Sequence, residues 1–280
     1  MGRLDPALPP VLDAFAAHLA AAETTGRDVL LVVAHPDDET VGFGGQLMRL
    51  PYTTILHLTD GAPKDLRDAH AHGFATAYAY AAARRRELVS ALKQAGLHSP
   101  ALIGFAIPDQ QVAFHLAPIG RRLFAVFAEL KPRFVLTHPF EGGHPDHDGA
   151  ALAVWAAREL LGRQGQPAPE IIEMAFYSAG EAGPLFQRFA PGSGGPEIEL
   201  FLPAGREDIK RRMLDCHLSQ RETLAPFATD RECFRAAPRY DFLAPPNGGR
   251  VLWEAWQLGL TVRDWPPLAQ AALAELDLLP

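Results

Sequence analysis

The segment Val29-Leu30-Leu31-Val32-Val33-Ala34 is apolar at every position, rich in β-branched residues, and ends abruptly at His35-Pro36-Asp37-Asp38-Glu39-Thr40. A strand with one face in water alternates apolar and polar residues, so a short unbroken apolar run signals a strand buried on both faces. The pattern repeats along the chain. Strands are predicted at Thr53–Leu58, Ala101–Ala106, Arg133–Thr137 and Ile171–Tyr177. Helical spacing is predicted at 10–22, Val41–Leu50, Phe74–Ala95 (stopped by Gly96), Val112–Leu130 and Gly149–Leu161. Strands alternating with helices imply a Rossmann-like open, mostly parallel sheet with helices on both faces. Beyond Ala179 the rhythm breaks into Gly- and Pro-rich loops, a short strand Ile198–Leu202 and a helix Arg206–Leu218. The last stretch is rich in Pro and aromatic residues with weak periodicity. We read 1–280 as one domain, with 180–280 as an irregular extension that wraps it.

Composition narrows the function classes. With 280 residues, 48% hydrophobic and 21% charged, the chain can bury a core without disulfide staples. Its unbroken apolar runs, such as Ala150 to Ala157, fall far short of the roughly 20 residues of a membrane span. The net charge of −7 and a single tight basic run, Arg84-Arg85-Arg86, argue against nucleic acid as a partner. Two cysteines, Cys216 and Cys233, are too few for a disulfide framework and suit a reducing compartment. The opening MGRLDPALPP lacks the layout of a signal peptide, so a cytoplasmic location is expected. Aromatic residues at Trp253 and Trp256, if exposed, would permit a homo-oligomeric interface.

Two clusters of ligand-type residues follow predicted strands: His35-Pro36-Asp37-Asp38-Glu39 and, in a loop read as His138 to Asp148, His144-Pro145-Asp146-His147-Asp148. Ligands bind at that carboxyl edge in open α/β sheets. One such cluster alone could be a helix cap, since Asp is favoured there; two at strand ends of one sheet are hard to explain that way. His35 and Asp38, three apart on a strand-to-helix turn, can face one point, and a histidine of the second cluster would complete three protein ligands for a divalent metal such as zinc.

Ala34-His35-Pro36-Asp37-Asp38-Glu39 resembles the AHPDDE motif of the PIG-L/LmbE-like family of zinc-dependent de-N-acetylases, and Gly143-His144-Pro145-Asp146-His147 resembles its GHPDH motif. His217-Leu218-Ser219-Gln220 is similar to a family H-x-[ST]-Q segment, and the resemblance covers residues 28 to 225. It implies one zinc per chain, or another divalent metal, held by His35, Asp38 and His147, with Asp37 as general base. It implies hydrolysis of an N-acetyl group on an N-acetylglucosamine-type sugar or glycoconjugate. A related amidase acting on a larger acyl or thiol-conjugate amide, and an inactive sugar-binding protein, are the rival readings. His144 is the expected partner for the oxyanion or the leaving amine, as an imidazolium kept charged by donating a hydrogen bond to Asp146. The family pattern R-x-x-E, matched by Arg84 and Glu87, makes Arg84 a substrate contact; helical projection places Arg86 away from the apolar stripe but barely separates Arg84 from Arg85. Asp109 resembles a family position that binds sugar hydroxyls. His57 and His115 read as structural, His70 and His72 as part of a mobile loop near the site mouth, and His217 as a residue of the rim. No nucleotide cofactor is implied, because Gly42-Phe43-Gly44-Gly45 does not fit G-x-G-x-x-G.

Overall fold

The computed structural model describes residues 8–21, 26–192 and 194–279; Ala22, the end of the first predicted helix, and Ser193, in the loop before the Ile198 strand, lie outside them, as do the first seven residues. In chain order the elements are α1 (Pro10–Ala20), β1 (Val29–Val33), α2 (Asp38–Leu47), β2 (Thr54–Pro63), α3 (Arg67–Ala71), α4 (Ala77–Gln94), β3 (Ala101–Asp109), α5 (Leu116–Leu130), β4 (Phe134–Thr137), α6 (Pro145–Arg163) and β5 (Glu170–Met174). There follow β6 (Tyr177–Gly180), β7 (Gly183–Phe186), β8 (Glu197–Phe201), α7 (Ala204–Asp215), α8 (Arg221–Leu224), β9 (Arg231–Ala236), α9 (Leu252–Ala255) and α10 (Trp265–Glu275).

The seven-stranded sheet has the order β3-β2-β1-β4-β5-β9-β8. Its first five strands are parallel, β9 runs antiparallel to β5, and β8 runs antiparallel to β9. Alternate residues of β1 divide between two cores. Leu30 and Val32 join the side chains of α5, α6 and α10, while Val29, Leu31 and Val33 join those of α1, α2 and α4. This two-sided burial is why β1 carries no polar residue. From β1 the chain builds outward to β2 and β3, then returns to lay β4 against the other side of β1. The order therefore reverses between β1 and β4, and the crevice above their carboxyl ends is the binding position of such sheets. Both ligand-rich clusters emerge there. No helix among the described residues is long and apolar enough to cross a membrane.

Several boundaries differ from the sequence expectation. Helix α2 begins at Asp38 rather than Val41, and α6 at Pro145 rather than Gly149. Both start inside the ligand motifs, so the predicted His138–Asp148 loop is shorter. The α6 start is unusual: the His144 ring caps the helix by accepting the Asp146 N–H, and Pro145 sits where a missing N–H costs nothing. The tail is also more regular than its composition suggests. Strand β9 is hidden in the sequence by Glu232 and Arg235, which look like surface charges. Both are buried and paired, Glu232 with Lys210 at 3.0 Å and Arg235 with Glu173 at 2.7 Å and Glu141 at 2.8 Å. Trp253 and Trp265 are fully buried, so Trp253 offers no interface; Trp256 remains 43% exposed.

Leu31 has no exposed surface and sits where β1 meets α2 and α4. Leu31→Ala is expected to cost about 2–5 kcal/mol of unfolding free energy; a loss smaller than about 0.5 kcal/mol in the free energy drawn from urea unfolding would contradict this packing.

Candidate active site

The turn after β1 folds back on itself: the His35 backbone N–H donates to Asp38 Oδ2 at 2.7 Å. This places the His35 ring and the Asp38 carboxylate side by side, with His35 Nδ1 3.4 Å from Asp38 Oδ2. The first turn of α6 brings His147 Nε2 to 3.4 Å from Asp38 Oδ1 and 3.3 Å from His35 Nδ1. A tetrahedral shell with ligands at zinc distances separates its ligand atoms by about 3.3–3.4 Å. Two imidazole nitrogens 3.3 Å apart, each 3.4 Å from one oxygen of the same carboxylate and all buried, fit one divalent ion.

The other face of the same ring is equally crowded. His35 Nε2 lies 2.9 Å from Asp109 Oδ1 and 3.3 Å from Asp146 Oδ2. The carboxylates accept a hydrogen bond from Nε2–H, so that in the neutral, metal-holding form of the ring Nδ1 would be the lone-pair nitrogen facing Asp38 and His147. Asp146 is fixed by the backbone N–H groups of Gln110 at 2.7 Å and Val112 at 2.9 Å. Its carboxylate therefore serves His35 and the β3–α5 connection, not His144 as the sequence suggested. The link between Asp146 and His144 runs the other way: the Asp146 backbone N–H donates to His144 Nδ1 at 3.1 Å. An acceptor Nδ1 fixes the neutral Nε2–H form. Burial, with the charge of His35 added, depresses the His144 pKa well below the ordinary histidine value, even against the pull of Asp109. The expected imidazolium at His144 is thus replaced by a neutral ring.

Asp37 and Asp38 are adjacent but have opposite surroundings. Burial raises the Asp37 pKa, moderated by Arg84, whose Nη2 donates to Asp37 Oδ2 at 2.8 Å. For Asp38, burial is outweighed by His147 and His138, and its carboxyl is held well below the usual range. Burial drives His147 down to about 4, helped by His138 and opposed by Asp38. His35 goes the other way. Burial opposes its charge, but Asp109, Asp146 and Asp38 together hold its pKa well above the ordinary value.

Arg84 is 3% exposed, whereas Arg85 and Arg86 point to solvent. It reaches the site through Asp37 and also donates to the Gly61 carbonyl at 2.6 Å. Glu87, the other half of its motif, turns instead to the Ser219 N–H at 3.0 Å and the Ser219 hydroxyl at 2.6 Å, and so holds the His217–Gln220 turn. Asp109 is the last residue of β3, buried against His35 rather than free in a turn. His217 is buried beneath the site, not at its rim, with Nε2 3.3 Å from the Thr40 hydroxyl. His57 is buried against Glu39 at 3.0 Å. His70 lies on α3 rather than in a loop, His72 stacks on Tyr80 at 5.4 Å, and neither joins a metal-capable group among the described residues.

Sequence reasoning missed His138 and Tyr177. The His138 ring stacks on His147 at 3.8 Å, accepts the Ala34 N–H at 2.9 Å, and approaches Asp38 at 3.4 Å. Its position directly after β4 was the available signal. Tyr177 lies against His147 at 5.3 Å and lines the cleft, which has a volume of about 240 Å³ and a floor of His35, Asp37, Asp38 and His144. Nothing in a Phe-Tyr-Ser run marks that role.

Residues 30–158 match the protein family described as PIG-L, GlcNAc-PI de-N-acetylase. The Bacillus anthracis protein named "Probable N-acetyl-alpha-D-glucosaminyl L-malate deacetylase 2" is 30% identical over 202 residues, covering 69% of this chain and 81% of the relative. This chain belongs to the PIG-L family. The Rhodococcus opacus "1D-myo-inositol 2-acetamido-2-deoxy-alpha-D-glucopyranoside deacetylase" is 29% identical over 248 residues, covering 73% of this chain and 85% of its own length. The match to the Bacillus subtilis counterpart of the anthracis protein spans 66% of that relative, just under two thirds of its length. The A40926 pseudoaglycone deacetylase Dbv21 shares the fold, with a TM-score of 0.57 at 19% identity over 76% of this chain and 97% of its own. The PIG-L match includes both ligand motifs, Arg84 and Asp109; the cleft wall formed by Tyr177 and later residues lies outside it.

Gly143 immediately precedes the second motif, and a Cβ there would sit 2.1 Å from the Tyr177 carbonyl oxygen. Backbone cannot yield as a flexible side chain can. Gly143→Ala is expected to displace the His144–His147 turn and lower the melting temperature by several degrees; an unchanged melting curve would show that the loop has room.

Proposed function

We propose that this PIG-L protein is a metal-dependent amide hydrolase that removes the N-acetyl group from an N-acetylglucosamine-type sugar or glycoconjugate, releasing acetate and a free amine. The observation that carries it is the convergence of His35 Nδ1, Asp38 and His147 Nε2 at 3.3–3.4 Å beside an unligated carboxylate, Asp37. His35, Asp38 and His147 would hold the ion, and zinc suits two imidazoles and one carboxylate. When bound, such an ion polarises a carbonyl and makes water more acidic. The names of the relatives support the sugar, and they differ in the group attached to it: L-malate in one, myo-inositol in another.

The remaining chemistry belongs to the chain. Asp37 opens on the cleft, and burial makes its carboxylate more basic than usual, as the acceptor of the attacking water's proton requires. Arg84 holds that carboxylate in place. His144, with Nδ1 capped, presents Nε2–H to the cleft as a neutral donor for the carbonyl oxygen as negative charge builds on it. As the C–N bond breaks, the proton held by Asp37 passes to the leaving nitrogen. Asp109 and Asp146 keep the His35 ring oriented throughout.

The chelated protein should take up about one equivalent of divalent ion, and His147→Ala should lose it. Asp37→Asn should retain the metal and lower kcat for release of free amine from N-acetylated sugars by about 10²–10⁴-fold. Full activity in Asp37→Asn would remove it from the reaction.

The acidic limb of kcat/KM should lie above the ordinary carboxylate range, because Asp37 must be ionised and its pKa is raised. Arg84 favours the ionised form, so Arg84→Gln should move that limb to still higher pH, and Arg84→Lys should restore it in part. A limb that stays in place in Arg84→Gln would assign it to another group.

A further inference from the structure

The cleft over the site has two unlike walls. One is polar, with Asp68, Arg84, Asp109 and Gln110. The other is apolar and aromatic, made by Tyr177, Leu224, Phe227, Trp256 and Leu258, with Tyr177 5.7 Å from Trp256 and 6.0 Å from Phe227 between ring centres. Trp256 leaves 43% of its surface in solvent, while Trp253, three residues away, has none. The exposed indole is held in position. The Trp253 indole N–H donates to Asp148 Oδ2 at 2.9 Å, the Leu252 N–H donates to the Gly142 carbonyl at 2.7 Å, and the Leu258 N–H donates to the Trp253 carbonyl at 2.9 Å. The Trp256–Leu258 part of the wall thus hangs from Gly142 and from the first turn of α6, which carries His147.

Charge decides what this wall can accept. Among the described residues lining the cleft, Arg84 is the only arginine or lysine, and Asp37 already occupies it. Three further carboxylates, Asp38, Asp68 and Asp109, face the same space. At the Tyr177–Trp256 wall, away from the Arg84–Asp37 pair and the metal-capable set, a carboxylate or phosphate on the substrate would find no arginine or lysine to pair with. A sugar hydroxyl suits the polar wall, and a flat apolar group suits an aromatic wall that needs no rearrangement to receive it.

We propose that the Tyr177–Trp256 wall is a subsite for an uncharged aromatic aglycone of the acylated amino sugar. This rests on the deacetylase reading above and extends it to the substrate class. The metal-loaded full chain would be assayed for free amine with phenyl, methyl and malyl glycosides of N-acetylglucosamine in both anomeric forms, and with the N-octanoyl methyl glycoside. Binding of the phenyl and methyl glycosides would be measured separately by calorimetry. The phenyl glycoside is expected to exceed the methyl glycoside about tenfold in kcat/KM, with the malyl glycoside lowest. Trp256→Ala should remove most of that advantage, and Trp256→Phe should restore part of it. The wild-type comparison stands even if the alanine variant folds poorly. Equal rates for phenyl and methyl, a malyl preference, or a gain only from the N-octanoyl chain would each overturn the proposal. If no amide is cleaved, the deacetylase reading falls. The subsite then stands if the phenyl glycoside binds more tightly through Trp256, and falls if it does not.

Discussion

One imidazole ties the molecule's chemistry to its fold. His35 leaves the end of β1 with both ring nitrogens engaged: Nδ1 faces Asp38 of α2 and His147 of α6, and Nε2 faces Asp109 at the end of β3 and Asp146 of α6. A ring has a fixed distance and angle between its nitrogens. Satisfying both sides therefore ties β3, α2 and α6 to the end of β1. The sheet reversal between β1 and β4 makes this geometry available, because it opens the crevice into which both motifs project.

Concentrating so many carboxylates and imidazoles out of water is costly unless each has a partner. The chain supplies partners in layers. Arg84 neutralises Asp37; backbone N–H groups of the β3–α5 connection fix Asp146; Glu39 of the first motif turns away from the site to His57 and Thr40. Glu87 ties the His217–Gln220 turn to α4. Arg84 and Asp109, which read from sequence as substrate contacts, are held by Asp37 and the Gly61 carbonyl and by His35 respectively. The electrostatic consequence is a division between neighbours: Asp38 kept ionised, Asp37 made more basic, His144 kept neutral.

The reacting groups and the cleft wall come from different parts of the chain. The ligand motifs and their supports lie within residues 30–158, on the parallel half of the sheet. The apolar wall comes from segments beyond β5, joined to the first part by the Trp253–Asp148 and Leu252–Gly142 hydrogen bonds.

What the sequence determined by itself was the period and the punctuation. Unbroken apolar runs such as Val29–Val33 can only be buried on both faces, and that dictated the layered parallel sheet. Two ligand-rich clusters at strand ends then located the site. The details escaped for physical reasons. Helix α6 starts within its motif because a histidine ring, not one of the usual capping side chains, accepts the first N–H. Strand β9 is disguised by Glu232 and Arg235, whose buried partners come from distant segments. The partner of Asp146 is His35, 111 residues away, rather than the nearby His144. Spacing along a chain reports which residues share a face. Which nitrogen meets which oxygen, and hence which group is charged, was decided only when the sheet brought four separate segments to one point.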